Sequence, residues 1–247
     1  MKRLLAVSVA VAVVFVFLVS SALSEDWKPT AEVSVGIHSG QVGGAGGLFY
    51  DKAVSNQAVT LGLDKGGTGF YVQAENFAPL EKKAKKETDL YLGGYMEIFG
   101  AKVDAGVAHY WVRESGELNW YAAYVGIDFP EVGWKITPFI KAEYDFAINS
   151  AISMDGLMYR GGVKREFQLH KRVSLMAELS AGGNTGIYGM SAENLAFARE
   201  KLEVSIILAE QWKLKISGLT QQTLGKRDGI AADTDRLFAS AAIVWTF

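Results

Sequence analysis

The chain has no cysteine and only four prolines in 247 residues. Without thiols there is no disulfide framework, thiolate metal site, thiol nucleophile or lipidated N-terminal cysteine. An excess of charge of one sign is also missing. The 25 Lys and Arg stand against 27 Asp and Glu, a formal net charge of -2, which is too mild to imply a nucleic-acid partner. The histidines His38, His109 and His170 are spread too widely to suggest a metal site, and no cofactor is implied. After the first two dozen residues no apolar run is long enough for a membrane helix. Yet 49% of the residues are hydrophobic and 27 are glycine, and the length allows one large all-β domain.

Met1-Lys2-Arg3 is a short basic segment, Leu4 to Val19 is uninterruptedly apolar, and small residues follow at Ala22 and Ser24. Residues 1–24 therefore read as a secretory signal peptide cleaved before Glu25, and 25–247 as the mature domain.

From Thr30 onward the pattern has period two, which predicts strands with one apolar and one polar face. The segments are Thr30–Ser39, Asn56–Leu63, Thr68–Phe77, Thr88–Ile98, Ala101–Val112 and Leu118–Phe129 in the first half. Gly133–Ala147, Leu157–Phe167, Arg172–Gly182, Ala198–Ala209, Gln211–Gln222 and Arg236–Phe247 follow in the second. Pro138 inside the seventh removes a ladder donor, so a bulge is expected there. Arg165 interrupts the apolar face of the eighth near one end, within snorkelling reach of an interface.

The last segment places Leu237, Ala239, Ala241, Ile243, Trp245 and Phe247 on one face and finishes on the phenylalanine. This ending resembles that of bacterial outer-membrane β-barrel proteins, porin-like, of about twelve strands. The resemblance implies an all-β, antiparallel, up-and-down transmembrane barrel. It also implies residence in the cell outer membrane, contact with its lipids, and recognition of Phe247 by the barrel assembly machinery.

Two further patterns agree with that architecture. The connections alternate short and long along the chain, as periplasmic turns and outer loops do. The aromatics on the apolar face sort into two sets. Phe70, Phe129, Trp134, Phe167, Trp212, Trp245 and Phe247 lie beside short turns or the C-terminus. Trp111, Tyr121, Tyr144, Phe146 and Tyr159 lie beside long loops. Two aromatic girdles around an apolar band mark a membrane barrel.

The opposite face is polar. It offers Glu75, Asp89, Glu97 and Asp104 as acids, and Lys135, Lys141, Arg160, Lys164, Lys213 and Lys215 as bases, for the lining of a pore. The acids concentrate in the first six strands and the bases in the last six, giving one acidic and one basic wall. A water-filled narrow channel for small hydrophilic solutes is one reading. A closed barrel, structural or adhesive, braced by interior ion pairs is the other.

Tyr71, Tyr91, Tyr95, Tyr110 and Tyr124 come from neighbouring strands and should form an inward aromatic patch. Such rings stack on sugars or nucleobases, as in the binding tracks of twelve-stranded nucleoside and oligosaccharide channels, or they serve as filler.

An outer-membrane lipid-modifying enzyme is a third reading. It would need a Ser-His pair with an orienting third group. His109, Ser115 and Asn119 lie near one rim, without the compact His-x-Ser-Asn arrangement of outer-membrane phospholipases and deacylases. The run from Glu81 to Glu87, with Lys82, Lys83, Lys85 and Lys86, is either a solvated loop or a site for polyanions such as lipopolysaccharide phosphates.

Overall fold

The computed structural model describes residues 26–42, 48–50, 52–81, 86–112, 119–147, 155–185, 197–224 and 236–247. The segment read as a leader, residues 1–24, lies outside them. Among the described residues fourteen strands follow one another. They are β1 (Lys28–His38), β2 (Gln41–Val42), β3 (Leu48–Tyr50), β4 (Val54–Lys65), β5 (Thr68–Pro79), β6 (Glu87–Ile98) and β7 (Ala101–Val112). After them come β8 (Trp120–Asp128), β9 (Thr137–Ala147), β10 (Gly156–His170), β11 (Val173–Asn184), β12 (Phe197–Ala209), β13 (Trp212–Thr223) and β14 (Arg236–Thr246). β2 and β3 pair only with each other, and the other twelve close into one barrel in which each strand pairs with its neighbours in sequence.

Closure joins β1 to β14 antiparallel, with Val33 opposite Trp245 and Val35 opposite Ile243. Ala31 and Phe247 exchange both backbone hydrogen bonds, at 2.9 and 3.0 Å. In hydrocarbon an unpaired strand edge leaves donors and acceptors without partners, so a spanning sheet must close in this way.

The alternation in sequence becomes two faces of one wall. Leu92, Val107, Leu179 and Leu202 lie near mid-strand and are each more than half exposed on the outside. A water-soluble sheet would bury such residues, whereas lipid is their matching solvent. Both aromatic sets lie on this outer face except Trp134, which sits in the turn before β9. Near the long loops, Trp111, Tyr121, Tyr144, Phe146 and Tyr159 are exposed. At the other end Trp212 stacks on Trp245 at 5.8 Å, and Trp245 meets Phe247 tilted at 4.3 Å.

A packed layer of buried side chains lies inside the barrel at the end bearing the long loops. Val54, Phe77, Trp120, Phe197 and Phe238 are each less than a tenth exposed there. The inward positions at the other end are wetter, and Glu97 and Lys102 are exposed.

Three expectations need correcting. The seventh sequence segment begins too early, because β9 starts only at Thr137. Gly133–Lys135 form a single 3-10 turn in which Trp134 and Lys135 have φ of 61° and 56°. Lys135 is therefore an exposed turn residue and not part of the pore wall. Pro138 produces no register shift: it is the second residue of β9, pairs with Val163, and its carbonyl accepts from the Phe129 amide at 2.9 Å. The strand starts late enough for the missing donor to fall at its end. Finally, the connection between the first two sequence segments, residues 40–55, contains the β2–β3 pair.

Candidate functional site

The lumen wall is built row by row from residues facing each other across the ladders. One row runs Tyr71–Gly93–Gly106–Tyr124 across β5, β6, β7 and β8. The two tyrosines reach over the glycines between them and meet hydroxyl to hydroxyl at 2.8 Å, and Tyr71 Oη donates to Asp104 Oδ1 at 2.9 Å. A Cβ on Gly93 would collide with Tyr124 Oη and lie 2.7 Å from Tyr71 Oη. The missing side chains thus let two large rings lie along the wall instead of across the bore.

A second aromatic layer lies nearer the long loops. Tyr91 meets Tyr110 edge to face at 5.9 Å and Tyr124 at 6.2 Å, and Tyr110 stacks on Trp120 at 4.8 Å. Tyr110 Oη donates to Glu143 Oε1 at 2.7 Å. Four of the five predicted tyrosines therefore form one connected group. Tyr95 is apart, toward the other end, where it hydrogen-bonds Asp64 and carries Lys102 Nζ over its ring at 4.2 Å.

These residues border a cavity of about 460 Å³ within the barrel. Its acids are Glu75, Asp104, Asp128 and Glu143, and its bases are Lys102, Lys141, Arg160 and Arg199. Of the predicted pore residues, the cavity brings together Glu75, Asp104, Lys141 and Arg160. Lys164 sits just below, paired with Asp128 at 2.7 Å. Asp89 lies opposite Glu75 in the ladder, and is only 3% exposed, within the packed end. Glu97 faces Lys102 at the other rim, while Lys213 and Lys215 point inward on β13 without reaching the cavity.

The charges are unequally engaged. Asn56 donates to Glu75 at 2.5 Å, Arg160 bonds Glu178 at 2.8 Å, and Arg199 Nε donates to Gln221 at 2.6 Å. Lys141 faces Arg160 on β10 and Gly126 on β8. It is exposed to the lumen and makes no hydrogen bond or ion pair among the described residues. Placing two cations side by side in a ladder leaves an ammonium facing water in the bore.

Arg199 and the two glycines were missed from sequence. Counting back by two from inward Lys201 places Arg199 inside. The glycines had a visible parity too, but their meaning required the register of four strands.

The enzyme constellation does not assemble among the described residues. His109 lies on the outer face, stacked on Tyr121 at 4.7 Å. Asn119 uses its oxygen to accept from the Val112 amide at 3.0 Å. Ser115 lies outside the described residues, as do Lys82, Lys83 and Lys85 of the basic run.

No protein-family model matches the chain, and no curated protein matches it. Solved structures do. The KdgM porin in complex with disordered oligogalacturonate is similar at a TM-score of 0.54 and 9% identity, over 88% of this chain and 99% of that one. The COG4313 outer membrane channel from Pseudomonas putida F1 is similar at a TM-score of 0.57 and 11% identity, over 89% and 95%. The NanC porin is similar at a TM-score of 0.50 and 9% identity, over 88% and 98%. All three are channels or porins, and at such identities the likeness is one of fold. The closed twelve-stranded wall, its lipid-facing belt with two aromatic girdles, and these neighbours make the chain an outer-membrane β-barrel protein of porin-like architecture.

Proposed function

We propose that the barrel is a narrow channel for small hydrophilic solutes. The observation that carries the reading is the cavity inside the wall, where unpaired Lys141 of β9 and paired Arg160 of β10 stand beside Glu75, Asp104 and Glu143 from β5, β7 and β9. A lumen of this kind keeps water and offers hydrogen bonds to neutral polar solutes. It also carries both signs of charge at close quarters, which favours dipolar solutes over polyanions. Oligogalacturonate, the ligand of the KdgM porin structure, is a polyanion. Carboxylates at Glu75 and Asp104 would oppose such a chain, so its chemistry is not transferred here.

Residues 1–24 would serve as the export leader, and the exposed C-terminal Phe247 as the feature read by the assembly machinery. The packed layer of Val54, Phe77, Trp120, Phe197 and Phe238 supports a second reading, a barrel closed at the loop end with a structural or adhesive role. Planar-bilayer recording and liposome swelling separate the two. The channel reading expects discrete conductance steps and swelling that falls with solute size across amino acids, sugars and nucleosides. A folded barrel that neither conducts nor permits swelling would establish the closed reading.

A further inference from the structure

Arg165 is out of place on the lipid-facing row of β10. Its row neighbours are Val163, Phe167 and Leu169, and its partner across the ladder is Ala177 of β11. The guanidinium carbon lies 4.4 Å from the Phe167 ring centre, two residues nearer the short turn. The side chain is therefore bent toward the end of the barrel that faces the periplasm. Its Nε is buried and makes no hydrogen bond. A cation in that position is held along an aromatic face and aimed at the headgroup zone.

The turn it points to is basic. β10 is the longest strand, and the turn after it carries exposed Lys171 and Arg172 behind exposed His170. Neither Lys171 nor Arg172 has an ion pair among the described residues. The other short turns differ. Lys65, the last residue of β4, is paired with Asp26 at 2.9 Å. Phe99-Gly100 is uncharged, the β8–β9 turn has one acid, Glu131, and one base, Lys135, and the β12–β13 turn carries Glu210. Leu169, 61% exposed, extends the apolar row up to the basic tip.

We propose that the periplasmic end of the β10–β11 hairpin is a binding site for the phosphate of an anionic phospholipid, with Arg165 reaching from the wall and Lys171 and Arg172 from the turn. Acyl chains lie against Val163, Phe167 and Leu169, and the headgroup meets three cations that have no ion pair among the described residues. Guanidinium–phosphate bonds are charge-assisted, and near the hydrocarbon boundary they are weakly screened.

The test is lipid retention by the full folded barrel in detergent, read by native mass spectrometry. The probes are phosphatidylglycerol and a diacylglycerol with the same acyl chains. The wild-type protein should retain phosphatidylglycerol several-fold more than diacylglycerol. R165L/K171Q/R172Q should retain the two alike, while K135Q on the neighbouring turn should behave as wild type. K171Q/R172Q alone leaves the wall untouched and should lose most of the preference. No preference in the wild type, or an unchanged preference in both multiple variants, overturns the site.

Discussion

Tyr71 and Tyr124 stand on strands separated by two others, yet their hydroxyls meet at 2.8 Å above Gly93 and Gly106. The pair fixes how far two bulky rings intrude into the lumen. It thereby links a feature of the wall to the width of the bore.

Gly93→Ala tests that link. The added methyl meets the two tyrosine tips and no backbone atom among its three nearest neighbours, so the rings must swing inward. Single-channel conductance should fall by a clear fraction, with a loss of stability of about 1–3 kcal/mol, as for other overpacking changes. Gly126→Ala is the control: its nearest neighbour would be Lys141 Cγ at 3.7 Å, and conductance should be unchanged. Equal conductance in both variants would show that the tyrosine pair does not limit flow.

A second expectation concerns depth in the bilayer. Leu92, Val107 and Leu179 lie on the outward face near the middle of β6, β7 and β11. Arginine near the midplane costs about 2–4 kcal/mol. Each of Leu92→Arg, Val107→Arg and Leu179→Arg should lower folding yield into bilayers, whereas Glu131→Arg, in an exposed turn, should not. Equal yields at all four positions would remove the lipid-facing assignment.

Closure gives a third. Deleting Ile243 to Phe247 removes the partners of Val35 and Val33 and the paired bonds between Ala31 and Phe247. The open edge should prevent a compact species whose electrophoretic mobility changes on heating. A truncated chain that still shows that mobility shift would contradict the closed wall.

Much of this architecture was legible because a barrel has only one long-range rule. Each strand pairs with its neighbour in sequence, so period-two parity alone sorts every residue to lipid or lumen. Leu90 and Asp89, or Val103 and Lys102, are placed by their sequence neighbours. Side chains reaching across strands were not legible. The Tyr71–Tyr124 bridge depends on a register of four strands, and Arg160–Glu178 on the pairing of β10 with β11. Lys135 was misplaced because parity was extended through a turn, where left-handed φ at Trp134 and Lys135 breaks the alternation. The packing of Phe197 and Phe238 at the outer end was also hidden, because period two says which face a residue takes and not how close the opposite wall stands.

The last expectation follows from Lys141. Most interior cations are engaged, as Lys164 is with Asp128, Arg160 with Glu178 and Lys201 with Glu203. Removing one of those would strand a buried or half-buried carboxylate and confuse the reading. Lys141 has no such partner, so Lys141→Gln deletes one positive charge from the cavity and leaves its neighbours in place. In a lumen where water is partly excluded, a single charge shifts ion occupancy measurably. Reversal potentials in a salt gradient should move toward cations. Asp104→Asn removes a charge two strands away in the same row, across Gly126, but keeps an oxygen to accept from Tyr71, and should move them toward anions. Opposite shifts from the two substitutions would mean that permeating ions pass along the Asp104–Gly126–Lys141 row. If conductance persists and neither substitution moves the reversal potential, the ions do not pass through this cavity, and its charges serve to brace the wall.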